Sequence, residues 1–242
     1  MPVDPARVLP QLRQAINGEY GGLRVDVTGV TGDSQRLSMS TKIYDENGIE
    51  VGHANRTYYN NPEGLIANHS SFFLQSHVRG QGCSTEFNNS LFAWYEQSGV
   101  SSVTLKANID VGSYAWARQD FHFANQQQAV DVIRPRLNRE ITNAKSELKQ
   151  LGDERDLLPQ GPERDALNSR IGQLEAELQP AEKMRKNFTV GSPDFPTPRA
   201  ITELGRPPGL LPGQSQNHSW LGKRVFMEHG AEIHWHGVKS IG

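Results

Sequence analysis

The chain has 242 residues, 25 basic and 27 acidic side chains, a formal net charge of −2 and 36% apolar residues. That balance leaves no electrostatic footprint for duplex nucleic acid or an anionic membrane surface, and no apolar run approaches the roughly 18–20 residues of a membrane helix. Cys83 is the only cysteine, which excludes an intrachain disulfide and a multi-cysteine metal site.

Met1 to Glu19 has no apolar core behind a basic start, so no secretion signal is expected. The chain should work in the cytoplasm or be delivered as part of a larger protein. Residues 5–17 put Val8, Leu12 and Ile16 on one helical face, and Asn17-Gly18 stops the helix. Leu23 to Gly29 alternates as a strand. Arg36 to Tyr44 does the same, with Leu37, Met39, Thr41 and Ile43 on one side. Asn47-Gly48 turns the chain into a partner strand, Ile49 to Tyr59. Leu65 to Ser76 is a more continuous apolar run, as for a central strand buried on both faces. A glycine-rich turn, Arg79 to Gly82, leads into an amphipathic helix over 84–98, with Phe87, Leu91, Trp94 and Tyr95 inward and Gly99 as its cap. A strand from Val100 to Ile109, a short helix over 111–119 and a strand at 121–123 complete this part.

Beyond Asn125 the pattern changes. Residues 126–152 and 163–186 predict charged helices. Leu137, Ile141, Ala144, Leu148 and Leu151, then Leu167, Ile171, Leu174, Leu178 and Ala181, are spaced four and three apart as a heptad seam. The break at 157–162 folds them into an antiparallel hairpin, a coiled-coil arm. Its plain reading is a solvated strut; its sharper reading is a docking arm for a protein partner or for a homodimer. Residues 187–218 are rich in Pro, Gly and Ser, with one short helix from Pro198 to Leu204. The end, 219–242, is too apolar for a free tail and is expected to return as an extra strand or strand pair. The expected organisation is a core at 1–125, the hairpin at 126–186 and a returning segment at 187–242.

The turn over Arg79–Ser84 carries the chemistry. A strand that feeds a glycine-rich turn into a helix start aims free backbone N–H groups and the positive end of the helix dipole at one spot. Gly80 and Gly82 let an anion approach the backbone. No Gly-Lys-Ser/Thr follows, so this is not a Walker A loop. The strands before it form an antiparallel meander, so it is not a dinucleotide fingerprint either.

Arg79-x-x-Gly82-x-Ser84 at this junction resembles the Arg/Gln-x-x-Gly-x-Gly/Ala motif of the GNAT N-acetyltransferase superfamily. The hairpin Ile43-x-Asp45-x-x-Gly48-x-x-Val51-Gly52 and the run Ala115-x-x-Arg118-x-x-Phe121 add to the likeness, which covers about residues 23–124. Five further segments resemble the GNAT-like domains of actinobacterial and phage-related multidomain proteins, some of them toxin-like: Arg79 to Gly82, Thr85 to Asn88, Asn108 to Ala117, Phe195 to Pro198 and Trp235 to Lys239. The resemblance implies an α/β (α+β) fold with a mixed, largely antiparallel central sheet. It also implies acetyl-CoA as co-substrate and an amine on a protein, tRNA or small molecule as acceptor. The pyrophosphate would bind at Arg79, Gly80, Gln81, Gly82, Ser84 and Thr85. The pantetheine would pair with backbone groups of Phe72 and Leu74 where the central strand splays from its neighbour.

The resemblance puts the family's usual acid, a Tyr, at Trp116; either Tyr114 reaches in from an irregular turn, or thiolate release needs no protein acid, or the chemistry has changed. Asp120 stands where the family has Gly. His69 on the central strand is the candidate base, because an imidazole titrates near neutrality; the alternative is a buried structural histidine. A bulge could exchange His69 and Asn68 between faces. Asp110 is a third candidate, or else a helix N-cap. Cys83 within the turn is a nucleophile or a packed side chain. His234 and His236 share a strand face, and His53 and His229 lie elsewhere; with no third ligand at a telling spacing, no metal site is expected. Trp94, Trp116, Trp220 and Trp235 read as core. Three functions compete: an acyl-CoA-dependent N-acyltransferase, another enzyme on the same frame acting on a different phosphate-bearing substrate, and a non-catalytic interaction domain of a phage or secretion assembly.

Overall fold

The computed structural model describes residues 5–33, 35–62, 64–107, 111–210, 219–227 and 234–241. They form two compact units. Of the described residues, the first comprises those up to Lys106 and from Val238 on, and the second those from Ala107 to Leu210 and from 219 to Gly237.

In the first unit, helix α1 (Pro5–Ile16) buries Leu12 and Ile16 and packs on strand β2. Strands β1 (Gly18–Tyr20) and β2 (Leu23–Gly32) pair as a hairpin around Gly21-Gly22, whose φ angles of +54° and +75° suit a two-residue turn. The short β1 was not expected from sequence. Strand β3 (Arg36–Tyr44) alternates as expected, with Leu37, Met39, Thr41 and Ile43 all buried. Asp45 builds the next turn, its carboxylate accepting the Asn47 and Ile49 N–H groups at 3.0 and 2.8 Å. Strands β4 (Glu50–Asn61) and β5 (Gly64–Leu74) extend the antiparallel meander. A 3-10 turn (Ser76–Val78) leads to helix α2 (Cys83–Ser98), which buries Phe87, Leu91 and Tyr95 completely and ends at Gly99 with φ +73°. After this crossover β6 (Val100–Ala107) runs parallel to β5. The strand order is β1-β2-β3-β4-β5-β6, followed by the end of β8 (Trp235–Ser240). The sheet is mixed and largely antiparallel, as expected.

The second unit holds α3 (Val111–Ala117), β7 (His122–Phe123), α4 (Gln126–Leu157), α5 (Pro162–Lys186), α6 (Pro198–Thr202) and α7 (Leu221–Met227). β7 lies beside the start of β8, with the Ala124 N–H bonded to the His236 carbonyl at 2.8 Å. Helices α4 and α5 pack against each other as an antiparallel pair. Their seam is tight only at its base. Leu137, Ile141, Ala144, Leu174, Leu178 and Ala181 are buried, Leu148, Leu151, Leu167 and Ile171 are half-buried, and Leu157 at the tip is 85% exposed.

Of the two alternatives for 219–242, the described residues hold the single extra strand, Trp235–Ser240, preceded by a helix, Leu221–Met227, that the sequence reading did not place. Trp220, Val225, Phe226 and Trp235 are buried as expected, and Ile233 lies outside the described residues. Trp220 donates to the Thr202 carbonyl at 2.7 Å, and a Cβ on Gly222 would lie 2.0 Å from the Ile201 carbonyl, so α7 meets α6 backbone to backbone. No helix among the described residues is long and apolar enough to cross a membrane.

Candidate functional site

β5 changes character halfway along. It pairs with β6 from Leu65↔Val100 to His69↔Leu105 and no further. Its continuation, Ser70–Leu74, runs on along β4. The change coincides with a bulge: Asn55 faces Ser71 and Arg56 faces His69, so Ser70 is the extra residue. In an antiparallel ladder successive residues turn their backbone groups to opposite sides. The Gln75 N–H bonds the Val51 carbonyl at 2.8 Å. Counting back, Phe73 and Ser71 face β4, and Phe72 and Leu74 face the side that β6 has left. The Leu74 carbonyl already accepts from Arg79 Nε at 2.8 Å. Among the described residues, the Phe72 N–H and carbonyl are the open pair.

The strand leads directly to the glycine turn. Gly80 and Gly82 have φ of +81° and +94°, a left-handed conformation that side chains resist. Gly82 is the N-cap of α2 and its carbonyl accepts from the Thr85 and Glu86 N–H groups at 2.9 and 3.0 Å. Thr85 is therefore committed within the helix. The N–H groups of Gly80, Gln81, Gly82, Cys83 and Ser84 make no hydrogen bond to the described residues. They lie in a left-handed turn and the first turn of a sixteen-residue helix, a fit for a diphosphate. Cys83 is buried. Burial, and then the Glu86 carboxylate, push its thiol up to about 11, which makes it a packed side chain and a poor nucleophile.

The bulge is filled from inside. Arg56 is fully buried. Its Nη1 donates to the carbonyls of Asn55 and Ser71 at 2.9 and 2.7 Å, and its Nη2 to Asn88 Oδ1 on α2 at 3.2 Å. One guanidinium thus replaces the ladder bonds the bulge removes and ties the bulge to the helix that starts at the turn. Its ring neighbour is Phe87, at 5.8 Å. His69, 3% exposed, lies under the same helix, stacked on Phe92 with centroids 5.9 Å apart and 3.1 Å from the Tyr95 hydroxyl. Burial, then the Arg56 cation, hold its pKa well below the usual value. The bulge at Ser70 leaves His69 inward and Asn68 half-buried with its amide on Thr104. His69 is placed as a neutral core imidazole rather than a base open to substrate.

Of the other two proton-transfer candidates, Tyr114 belongs to the second unit. Asp110 lies outside the described residues. Tyr114 is buried, edge-on to Trp220 at 5.9 Å, with the Arg118 guanidinium over its ring. Burial raises its pKa, which keeps the phenol protonated and makes it a weaker acid. Trp116 packs edge-on to Phe121. Asp120, the residue in place of the family's glycine, has φ +59° and is held by Arg199 at 2.5 Å. The features that sequence reading missed, Arg56 and Glu86, carried only a parity signal: each falls where its element turns toward the interior or the turn.

No family model and no curated protein sequence matches this chain. Among solved structures, an acetyltransferase from Bacillus cereus aligns at 12% identity and TM-score 0.32, over 37% of this chain and 61% of that one. A protein from Klebsiella pneumoniae described as an acyl-CoA N-acyltransferase aligns at 17% identity and TM-score 0.30, over 36% and 59%. Nourseothricin acetyltransferase aligns at 16% identity and TM-score 0.32, over 48% and 81%. The chain thus spans about three fifths of the length of the first two. Likeness of this degree fixes neither activity nor substrate.

Proposed function

We propose that this chain is an acyl-CoA-dependent N-acyltransferase, with acetyl-CoA as donor and an amine as acceptor. The observation that carries the reading is the parting of β5 from β6 after His69↔Leu105, with open N–H groups at the turn that follows the same strand. The pyrophosphate sits at Gly80–Ser84. The pantetheine amide pairs with Phe72 as a further strand would. The amine nitrogen attacks the thioester carbon, a C–N bond forms, the C–S bond breaks, nitrogen gives up one proton and the thiolate takes one up. Fixed backbone dipoles lower such a barrier without a charged side chain. This fits a site in which the His69 imidazole is held neutral beneath the helix. A delivered toxin-like role would follow if the acceptor is an essential cell component.

Calorimetry with CoA tests the reading. Gly82→Glu and Ser84→Glu each put a carboxylate where the diphosphate sits. Gly82→Glu also strains a left-handed N-cap, whereas an acidic residue at Ser84 favours the helix start and should leave the fold intact. Both are expected to lose CoA binding at least tenfold. A folded Ser84→Glu protein with unchanged affinity overturns the proposal.

A further inference from the structure

The turn over Gln81–Cys83 already has a carboxylate beside it. Glu86, one helical turn into α2, accepts the Gly21 N–H on Oε2 at 2.8 Å. Its Oε1 lies 3.4 Å from where a Cβ on Gly82 would stand, so the carboxylate rests against the N-cap itself. Gly21 in turn is pressed onto the glycine turn: a Cβ there would be 2.5 Å from the Cys83 nitrogen and 2.6 Å from the Gln81 carbonyl. No lysine or arginine among the described residues pairs with Glu86. The upward push on the Cys83 thiol includes a contribution from this carboxylate, so its charge is felt inside the turn.

We propose that Glu86, an exposed carboxylate fixed beside the turn, sets how tightly a diphosphate is held. The inference rests on reading the turn as the coenzyme site. An unpaired carboxylate at the positive end of α2 draws on the same helix field that a diphosphate would use. It also repels the incoming charge across a few ångströms. Binding by phosphate alone is therefore weakened. A ligand that also lays a pantetheine arm along β5 recovers the loss, and a bare diphosphate does not. Glu86 thus lowers the hold on the pyrophosphate of coenzyme and nucleotide alike, so that a ligand without the pantetheine arm is held too weakly to stay, while its bond to Gly21 fixes the β1–β2 turn in place.

The test compares wild type with Glu86→Gln, using CoA and ADP as probes in calorimetry. Glutamine keeps the length and an oxygen acceptor for the Gly21 N–H, so it removes the charge and leaves the contact. The variant should bind CoA about three- to tenfold more tightly at low salt, with the gain shrinking as salt rises. ADP should gain by a similar factor and so become easier to detect. Wild type that binds CoA while Glu86→Gln binds it equally or more weakly overturns the role of Glu86 and leaves the coenzyme site standing. Failure of both proteins to bind CoA overturns both.

Discussion

The two halves of β5 differ more than their sequences do. From Leu65 to His69 the strand has neighbours on both sides, and Ile66, Ala67 and His69 are buried. From Ser70 to Leu74 it keeps β4 alone among the mapped pairings, and Phe73 is 46% exposed. A single extra residue separates a core strand from a strand with an open edge. Open edges are normally avoided because they invite pairing. Here the edge lies next to a turn whose N–H groups make no hydrogen bond to the described residues. Exposure alone would be a liability; in the proposed reading, pairing with a coenzyme gives the edge a use.

The comparison breaks most easily at Arg56, which lies at the junction of the halves. Arg56→Ala would take the guanidinium donor from the half-buried Asn55 and Ser71 carbonyls and from the buried Asn88 Oδ1, where an acceptor left buried without a donor costs about 1–3 kcal/mol, and would empty the space a fully buried side chain fills. A loss of at least about 3 kcal/mol is expected in denaturant melts. Lysine should not rescue it, because one ammonium lacks the planar fork that reaches two carbonyls and an amide at once. An Arg56→Ala protein within about 1 kcal/mol of wild type would mean that the bulge holds itself and the division of β5 has another cause.

The next effect lies in the buried half and depends on pH. His69 stays neutral in the fold, while in the unfolded chain it titrates near the ordinary 6.5. Below that pH the unfolded state binds the extra proton, so stability falls as pH falls, until the pH reaches the lowered folded-state pKa. The slope from this one group is at most about 1.4 kcal/mol per pH unit. His69→Phe removes the titration and retains a ring against Phe92. Between pH 6.5 and 5 its stability should fall less steeply than that of wild type by about that slope. Parallel curves would place a solvent-reachable imidazole at His69 and reopen it as a base.

Much of this architecture was legible. The alternation of Leu37, Met39, Thr41 and Ile43 fixed β3 and its inward face, Asn47-Gly48 fixed the hairpin, and Thr197-Pro198 fixed the start of α6, where the Thr197 hydroxyl accepts from the Ala200 N–H at 3.1 Å. The glycine turn and its helix were legible because strand, turn and helix start each leave a composition mark. The arginine inside β4 was hidden. Ala54, Arg56 and Tyr58 share the inward parity, but composition argues that an arginine faces water, and only the bulge explains why it does not. Helix α7 was hidden for a different reason: seven residues with Val225-Phe226 at the centre fit a strand or a helix equally well. His69 read as a base because an imidazole on a central strand looks the same in sequence whether it faces a cleft or Tyr95.

The smallest expected effect sharpens the comparison from the open half. Phe73 would be a core residue if β5 were buried along its whole length, and truncating a core phenylalanine costs about 3–5 kcal/mol. In the structure its ring is 46% exposed, stacked on His53 at 5.6 Å, with the Arg79 guanidinium 5.9 Å from its centroid. Those are surface contacts in high dielectric, and exposed ring and cation–π pairs contribute about 0.5–1 kcal/mol. Phe73→Ala should therefore cost no more than about 1 kcal/mol. Ile66→Ala, seven residues earlier in the buried half, should cost about 2–4 kcal/mol. Because the Phe73 backbone faces β4 and not the open edge, the same variant should leave CoA affinity within about twofold unless the ring stacks on part of the ligand, which would show as a selective loss for CoA over pantetheine. Equal costs at positions 66 and 73 would mean that the second half of β5 is as covered as the first, and a strand covered to its end has no edge left for a coenzyme.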